Sequence, residues 1–512
     1  MCKFITIFAE STGQFRAFFQ MVSIIIPIYN AEAYVADTLR SVLASTYTDI
    51  EVVCMDDGST DGSHRIVAEF AAADPRVRLL HQANAGVCRA RNVAISQARG
   101  ELILPVDADN LIEPTFVERA VAAIEADPEV KVVAPRAEFF EGRTGEWKLP
   151  PFTLHKLAHK NIMDTCALYR KTDWQRVGGY CEDIMAREDW EFWISVLKDG
   201  GKVVRLPNIE LHYRIHRGSK RETDRQLKRH VIKVLNRRHP EFFERELGGP
   251  LRYRRTWSKL INGVFRLFHP RRVQTTEAYD AHWKLFTATL PYRFKHTNTG
   301  RVIYRGRNEL REFDYAGQCV VVKEFCRPNL INRLAYGLLR KSKAQRSCEY
   351  AALLHRAGIG SPEPVAWCTV RNGLLLDKSY YVSVRSRLPY TYIDLMEGRI
   401  EHPDELLREV GRTAARMHRA GMIHRDFSRG NLLMGYVDGK PCIEVVDLNR
   451  IRFRQVGLAE GIENLQRLPA TESMKRLMAE GYAEISGADP EALLVLWPQT
   501  EAMNSKAAGI RS

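Results

Sequence analysis

The chain has 512 residues, 45% of them apolar and 27% charged, and its 76 Lys and Arg against 62 Asp and Glu give a formal net charge of +14. This composition excludes a disordered, collagenous or disulfide-scaffold protein, and at roughly 100–200 residues per domain it predicts two to four domains. No stretch of about 18 apolar residues runs without a charge, so no transmembrane helix is expected.

Residues 1–21 read as a leading extension, with Met21 as the true start; a short membrane-adhering helix is the alternative. Strands and helices then alternate. Val22–Ile26 is a β-branched run followed by a helical pattern through Leu43, and Ile50–Met55 is a second buried strand. A helix over Ser63–Ala73, a strand over Val77–His81, a helix over Gly86–Arg99 and a strand over Leu102–Val106 follow. The alternation predicts an α/β, Rossmann-like, mostly parallel sheet with both faces covered and a ligand site beyond the carboxyl ends of its strands.

Both acidic clusters fall at such ends. Asp107 and Asp109 flank one residue after a strand, where two carboxylates can aim at one hard cation bridging the phosphates of a nucleotide sugar. A lone D-x-D also recurs in ordinary turns. Asp56 and Asp57 can accept hydrogen bonds from a nucleobase or ribose, while Asp56–Asp61 reads equally as a turn with Asp61 capping the next helix. Glu188 and Asp189 open an amphipathic run, Trp190–Leu197. Capping of the helix dipole is the bland reading of this pair.

Five ordered pieces carry a resemblance over residues 22–218. They are S-I-I-I-P-I-Y-N-A-E (Ser23–Glu32), D-D-G-S-T-D (Asp56–Asp61), N-A-G-V-C-R-A-R-N (Asn84–Asn92), D-A-D (Asp107–Asp109) and R-E-D-W-E-F-W (Arg187–Trp193). This region resembles the family-2 glycosyltransferases with the GT-A fold. The resemblance implies that Pro27, Tyr29, Glu32 and Asp57 line the nucleotide pocket of a UDP- or GDP-sugar, with Asp56 beside them. It implies that Arg91 helps hold the pyrophosphate, that Asp107 and Asp109 hold Mg2+ or Mn2+, and that Asp189 is the base of an inverting transfer. It also admits a metal role for His212 or His216, whose bland reading is strand-end packing. A lectin-like sugar binder is the non-enzymatic alternative.

From Arg214 to Arg272 there are 18 Lys or Arg and 5 Asp or Glu, so this segment holds +13 of the net charge. Residues 219–280 read as a basic helical connector, with Trp257, Phe265, Leu267 and Phe268 between the charges. An anionic bilayer is the expected partner, ahead of nucleic acid, for which no module is recognisable; a merely solvated connector is the bland reading.

Residues 281–512 restart the pattern. Val320–Lys323 is a buried strand ending in lysine, and Glu349 follows on a helix. His424-Arg425-Asp426 is followed five residues later by Asn431, and the strand-terminal Asp447 lies 16 residues beyond that. In phosphoryl transfer a lysine fixed by a glutamate holds the α/β-phosphates, an aspartate accepts the hydroxyl proton, and an asparagine and a second aspartate hold the metals on ATP. The set reads as Lys323, Glu349, Asp426, Asn431 and Asp447.

Together with Asn329–Tyr336, Arg340–Ser347 and Asp447-Leu448-Asn449-Arg450, these residues resemble the lipopolysaccharide kinases, bilobal α+β relatives of protein kinases that phosphorylate core sugars such as 3-deoxy-manno-octulosonic acid (Kdo) or heptose. D-L-N replaces D-F-G, the glycine-rich loop is reduced to Gly300 and Gly306, and no A-P-E segment follows Asp447. A small-molecule kinase and a pseudokinase that only binds ATP or glycolipid are the alternatives. The ten scattered cysteines form no C-x-x-C pair and read as buried thiols of a reducing compartment. The chain is expected in the cytoplasm, peripheral on the inner face of the membrane, acting on a glycolipid acceptor of the lipid A-core type.

Overall fold

The computed structural model describes residues 20–216, 223–295 and 299–497. Residues 1–19 of the expected 1–21 extension lie outside this range. The chain divides into two compact units between Asn262 and Gly263.

The first unit begins with β1 (Val22–Ile28), α1 (Val35–Leu43), β2 (Ile50–Asp56), α2 (Ser63–Ala73), β3 (Val77–His81), α3 (Val87–Gln97) and β4 (Leu102–Pro105). It continues through β5 (Leu111–Ile112), α4 (Phe116–Glu125), β6 (Val130–Glu141), β7 (Gly145–Glu146), α5 (Leu154–His159), β8 (Leu168–Arg170) and α6 (Lys171–Val177). It closes with α7 (Glu188–Leu197), β9 (Lys202–Ile215), α8 (Thr223–Arg238) and α9 (Pro240–Leu247).

One sheet has the order β3-β2-β1-β4-β8-β6-β9-β5, with β7 added on β6. Its first four strands are parallel, β8 runs antiparallel to both neighbours, and β6 and β9 are parallel again. Every residue of β2 is buried, as a strand covered on both faces requires. On one face Leu39, Val67 and Phe116 pack against the sheet, and on the other Ile95, Leu157, Trp193, Leu235 and Phe243.

The separate basic connector does not exist as such. Val231, Val234, Leu235, Phe242, Phe243, Leu247 and Leu251 are buried in the core of the first unit. The strand β10 (Arg271–Thr275) instead joins the sheet of the second unit through β14 (Pro364–Asn372). Counting charge alone concealed the apolar stripe on α8 and α9. After α9 comes α10 (Ser258–Phe268), which buries Ser258 and Asn262 but leaves Leu260 at 61%, Leu267 at 79% and Phe268 at 65% exposure.

The second unit continues with α11 (Ala281–Lys295), β11 (Arg301–Arg305), β12 (Glu309–Tyr315), β13 (Gln318–Phe325), α12 (Leu330–Leu338) and α13 (Lys343–Arg356). After β14 come β15 (Leu375–Val384), β16 (Tyr390–Thr391), α14 (Tyr392–Met396), α15 (Asp404–Arg419), β17 (Met422–His424), β18 (Leu432–Val437) and β19 (Lys440–Val445). The remaining elements are β20 (Ile451–Phe453), α16 (Leu458–Leu465), α17 (Glu472–Ser486) and α18 (Pro490–Val495).

A six-stranded antiparallel sheet, β10-β14-β15-β13-β12-β11, forms one lobe around Phe286, Leu290, Val322 and Val382. Helices around Leu406, Val410, Ile462 and Met478 form the other. There α15 and α17 cross so closely that a Cβ on Gly411 would lie 2.0 Å from the Met478 carbonyl oxygen, and one on Gly481 would lie 1.9 Å from that of Arg408. Of the described cysteines six are buried, Cys319 and Cys442 are half-buried and Cys326 is exposed; all are free thiols.

Candidate active sites

In the first unit the carboxyl ends of β1, β2 and β4 converge. The loop after β1 interlocks with the loop after β2: Asn30 Oδ1 accepts from Thr60 N at 2.8 Å, and Glu32 N donates to Asp61 Oδ2 at 3.0 Å. The Gly62 amide donates to Glu32 Oε2, also at 3.0 Å. Tyr29 projects from this frame, exposed, and Pro27 is half-buried. Asp57 is fixed by Gln82 Nε2 at 2.7 Å and by the amides of Ala85 and Gly86 at 2.9 Å. Gly58 has φ +74°, and a Cβ there would lie 2.8 Å from the Asn84 amide nitrogen. Asp56 is buried, and its carboxylate meets Ser59 N, His64 and His81.

Arg91 on α3 is 2% exposed and spans two acids. Its Nη2 donates to Asp107 Oδ1 at 2.7 Å and its Nη1 to Glu188 Oε1 at 2.9 Å. Each terminal nitrogen thus holds one carboxylate, and Arg91 links the loop after β4 to the first turn of α7. Asp109 Oδ2 lies 3.1 Å from His216 Nε2, and burial, then Asp107, pushes its carboxyl up. His212 instead bridges Glu113 and Glu138, at 2.7 and 2.8 Å. Two crowded carboxylates with an imidazole beside one of them are a donor set that fits Mg2+ or Mn2+.

The first turn of α7 carries three acids with separate environments. Glu188 takes Arg91. Asp189 Oδ2 accepts from Asn161 Nδ2 at 2.5 Å and its Oδ1 from Trp190 N at 2.8 Å. Burial first, then Glu188 and Asp164, pushes the Asp189 carboxyl up. Burial opposes ionisation of Glu191 too, but His239 and Arg238 bring it down to about 2. Asp164, absent from the sequence expectations, is pushed up to about 7 by burial and then by Asp107. No motif marks it; it precedes β8 in an unremarkable stretch, and only the fold sets it beside Asp107 and Asp189.

In the second unit Lys323 on β13 donates through Nζ to Asp447 Oδ1 at 2.7 Å. Burial opposes ionisation of Asp447, and Lys323 holds its carboxyl below the usual range. Glu349 on α13 accepts instead from Lys341 Nζ at 2.7 Å and Gln345 Nε2 at 3.1 Å. The expected Lys323–Glu349 pair is therefore not made; Lys341, in the loop before α13, takes the glutamate.

His424 Nδ1 accepts from the Asp426 amide at 3.1 Å, and its Nε2 donates to the Asp447 carbonyl at 3.2 Å. A backbone N–H can only donate and a carbonyl only accept, so these partners set the tautomer. Asn431 donates through Nδ2 to the Asp426 carbonyl at 2.9 Å, which directs its Oδ1 the other way, and its own carbonyl accepts from Val446 N at 2.9 Å. Arg450 Nε lies 3.5 Å from Asp426 Oδ2. One imidazole and one amide thus brace Asp426 against Asp447. Asn431 Oδ1 and the Asp447 carboxylate are hard oxygen donors suited to the cations that accompany ATP.

Residues 23–185 match the family model Glycosyl transferase family 2, and residues 321–495 match Lipopolysaccharide kinase (Kdo/WaaP) family. The chain therefore joins a family-2 glycosyltransferase domain to a domain of the Kdo/WaaP kinase family. An uncharacterized glycosyltransferase of Haemophilus influenzae is 23% identical over 335 residues, covering 60% of this chain and 97% of that protein. Glycosyltransferase GlyG of Streptococcus pneumoniae is 38% identical over 22% of this chain and 38% of its own length. The chondroitin synthase of Escherichia coli is 32% identical over 35% of this chain. This chain spans only 27% of that synthase's length.

Among solved structures, S. aureus TarS 1-349 aligns at 18% identity and a TM-score of 0.36, over 59% of this chain and 96% of its own. WaaP in complex with acyl carrier protein aligns at 20% identity and a TM-score of 0.32, over 44% of this chain and 92% of its own.

Proposed function

We propose that the chain is a bifunctional enzyme of lipopolysaccharide core or cell-surface glycan assembly. The first domain transfers a sugar, with inversion, from a UDP- or GDP-sugar to a glycolipid. The second phosphorylates a core sugar hydroxyl, of Kdo or heptose, from ATP. The observation that carries the transferase reading is the Asp107–Arg91–Glu188 bridge, which ties the cation-binding loop to the turn bearing Asp189.

Asp189 takes the proton of the acceptor hydroxyl as its oxygen attacks the anomeric carbon. The bond from that carbon to phosphate breaks, and the diphosphate leaves with the electron pair. Asn161 and the Trp190 amide aim the base. Asp107 and Asp109 would hold a divalent cation, whose charge would neutralise the leaving diphosphate. In the second domain Asp426 accepts the proton of the sugar hydroxyl, while Lys323 steadies Asp447 and the phosphates.

The exposed apolar face of α10, with Arg254, Arg255, Lys259 and Arg266 in or near it, supports peripheral binding to an anionic inner leaflet. Among the described residues no helix is long and apolar enough to cross a membrane.

The test is mass spectrometry of lipid A bearing core sugars after incubation with ATP and a panel of nucleotide sugars. Gain of one sugar that disappears in Asp189→Asn, and gain of one phosphate that disappears in Asp426→Asn, is the expected result. The Glu349–Lys341 pair favours a second reading, in which the kinase-family domain only binds ATP or glycolipid; no phosphate gain with ATP binding intact would establish it.

A further inference from the structure

The ends of β2 and β3 and the start of α2 bring together three potential ligand residues, of which Asp56 also stands beside the expected nucleotide pocket. Asp56 ends β2, His81 ends β3 directly opposite it in the parallel register, and His64 is the second residue of α2. Asp56 Oδ2 lies 2.9 Å from His64 Nδ1 and 3.2 Å from His81 Nδ1. All three donor atoms lie within 4.8 Å of one another. Asp56 is 1% exposed, while the two imidazoles are 51% and 57% exposed, so the carboxylate is fixed at the floor and the rings line an open mouth.

We propose that Asp56, His64 and His81 form a binding site for a borderline transition cation of the Zn2+ class, separate from the hard-cation pair Asp107 and Asp109. Zinc bonds of roughly 2.0–2.2 Å in tetrahedral array place ligand atoms about 3.3–3.5 Å apart. The two oxygen–nitrogen separations already fall slightly inside that edge, and rotation of each exposed imidazole opens its own separation to it. One carboxylate and two imidazoles leave a fourth position for water and select Zn2+ over Mg2+ by donor softness. A bound ion would clamp the start of α2 to the ends of β2 and β3, beneath the Asn30–Thr60 and Glu32–Asp61 bonds that shape the nucleotide loop. The inference is independent of the acceptor and of the kinase reading.

The competing arrangement is two imidazole N–H groups donating to one carboxylate, and the variants are chosen to separate the two. Gln at position 64 or 81 keeps an N–H donor for Asp56 but removes the imidazole ligand. The full chain, stripped with chelator and kept in excess Mg2+, is titrated with Zn2+ against a chromophoric competitor. The same titration is run on His64→Gln, His81→Gln and the double variant. The expected result is one Zn2+ site in the parent that is weakened in each single variant by more than the roughly 10–100-fold that loss of an outer-shell partner costs. The double variant should lose it. Co2+ should give tetrahedral visible bands in the parent only. Equal Zn2+ affinity and equal Co2+ spectra in parent and double variant, with unchanged thermal melting, would overturn the proposal.

Discussion

Arg91 donates to Glu188 at 2.9 Å across 97 positions of sequence. The same guanidinium holds Asp107, so the loop after β4 and the first turn of α7 share one buried guanidinium. A guanidinium removed from solvent between two partly buried carboxylates fixes both, because breaking the bridge leaves the acids without their partner.

Replacing Arg91 by Met is therefore expected to destabilise the first unit by about 3–5 kcal/mol. Urea unfolding followed by tryptophan fluorescence measures this. Arg91→Lys, which cannot span both acids, should recover only part of the loss.

Asp189→Asn is expected to lower the turnover of nucleotide sugar by roughly 10²–10⁴. Donor binding, read by calorimetry, should change little, because the contact acts on the acceptor hydroxyl. Since burial raises the Asp189 carboxyl, the base is protonated on the acid side and transfer should rise with pH through neutrality. An activity profile flat from acid to alkaline pH would count against this role.

Asp164 makes a stability prediction with a definite sign. Its carboxyl, raised to about 7, keeps its proton in the folded chain after the unfolded chain has lost it. The folded state thus binds more protons, and its advantage, full below the ordinary aspartate range, declines as pH rises from about 4 to about 7. Asp164→Asn, measured by thermal melting without divalent cations, should match the parent near pH 4 and become progressively more stable than it toward neutral pH.

Lys323→Met should reduce phosphoryl transfer by roughly 10²–10³, the loss typical of one preorganised charge at a reacting centre. Radiolabelled ATP with a sugar acceptor measures this. Retained transfer in the variant would shift the phosphate contact to another cation.

Leu267→Asp with Phe268→Asp is expected to abolish sedimentation with anionic vesicles while leaving the fold intact, since both side chains are exposed. Raising the salt should weaken the parent's binding, because each basic residue near such a surface contributes about 1 kcal/mol.

Much of both domains was legible in residue order. Strand runs such as Val22–Ile28 announce themselves by β-branching, and D-A-D and H-R-D by fixed spacing. The roles inside a cluster were not legible. Glu188, Asp189 and Glu191 occupy one helical turn, yet only tertiary partners separate them: Arg91 for the first, Asn161 for the second, and His239 with Arg238 for the third. Asp164 had no motif because its neighbours come from distant strands. Glu349 was assigned to Lys323 by helix placement, and the lysine eight residues before it won the contact. The connector failed for a related reason: charge density along a chain says nothing about which face of α8 or α9 is apolar.

Cys326 lies three residues past Lys323, just beyond the end of β13, and is exposed, whereas the other described thiols are buried or half-buried. With Cys2 replaced by Ser, the native chain becomes its own labelling standard. A maleimide dye should enter first at position 326, close to Lys323, where its emission would report nucleotide binding at the proposed ATP site. The half-buried Cys319 and Cys442 should follow, and the six buried thiols should label only as the cores that hold them open, so one reagent reports the order of unfolding.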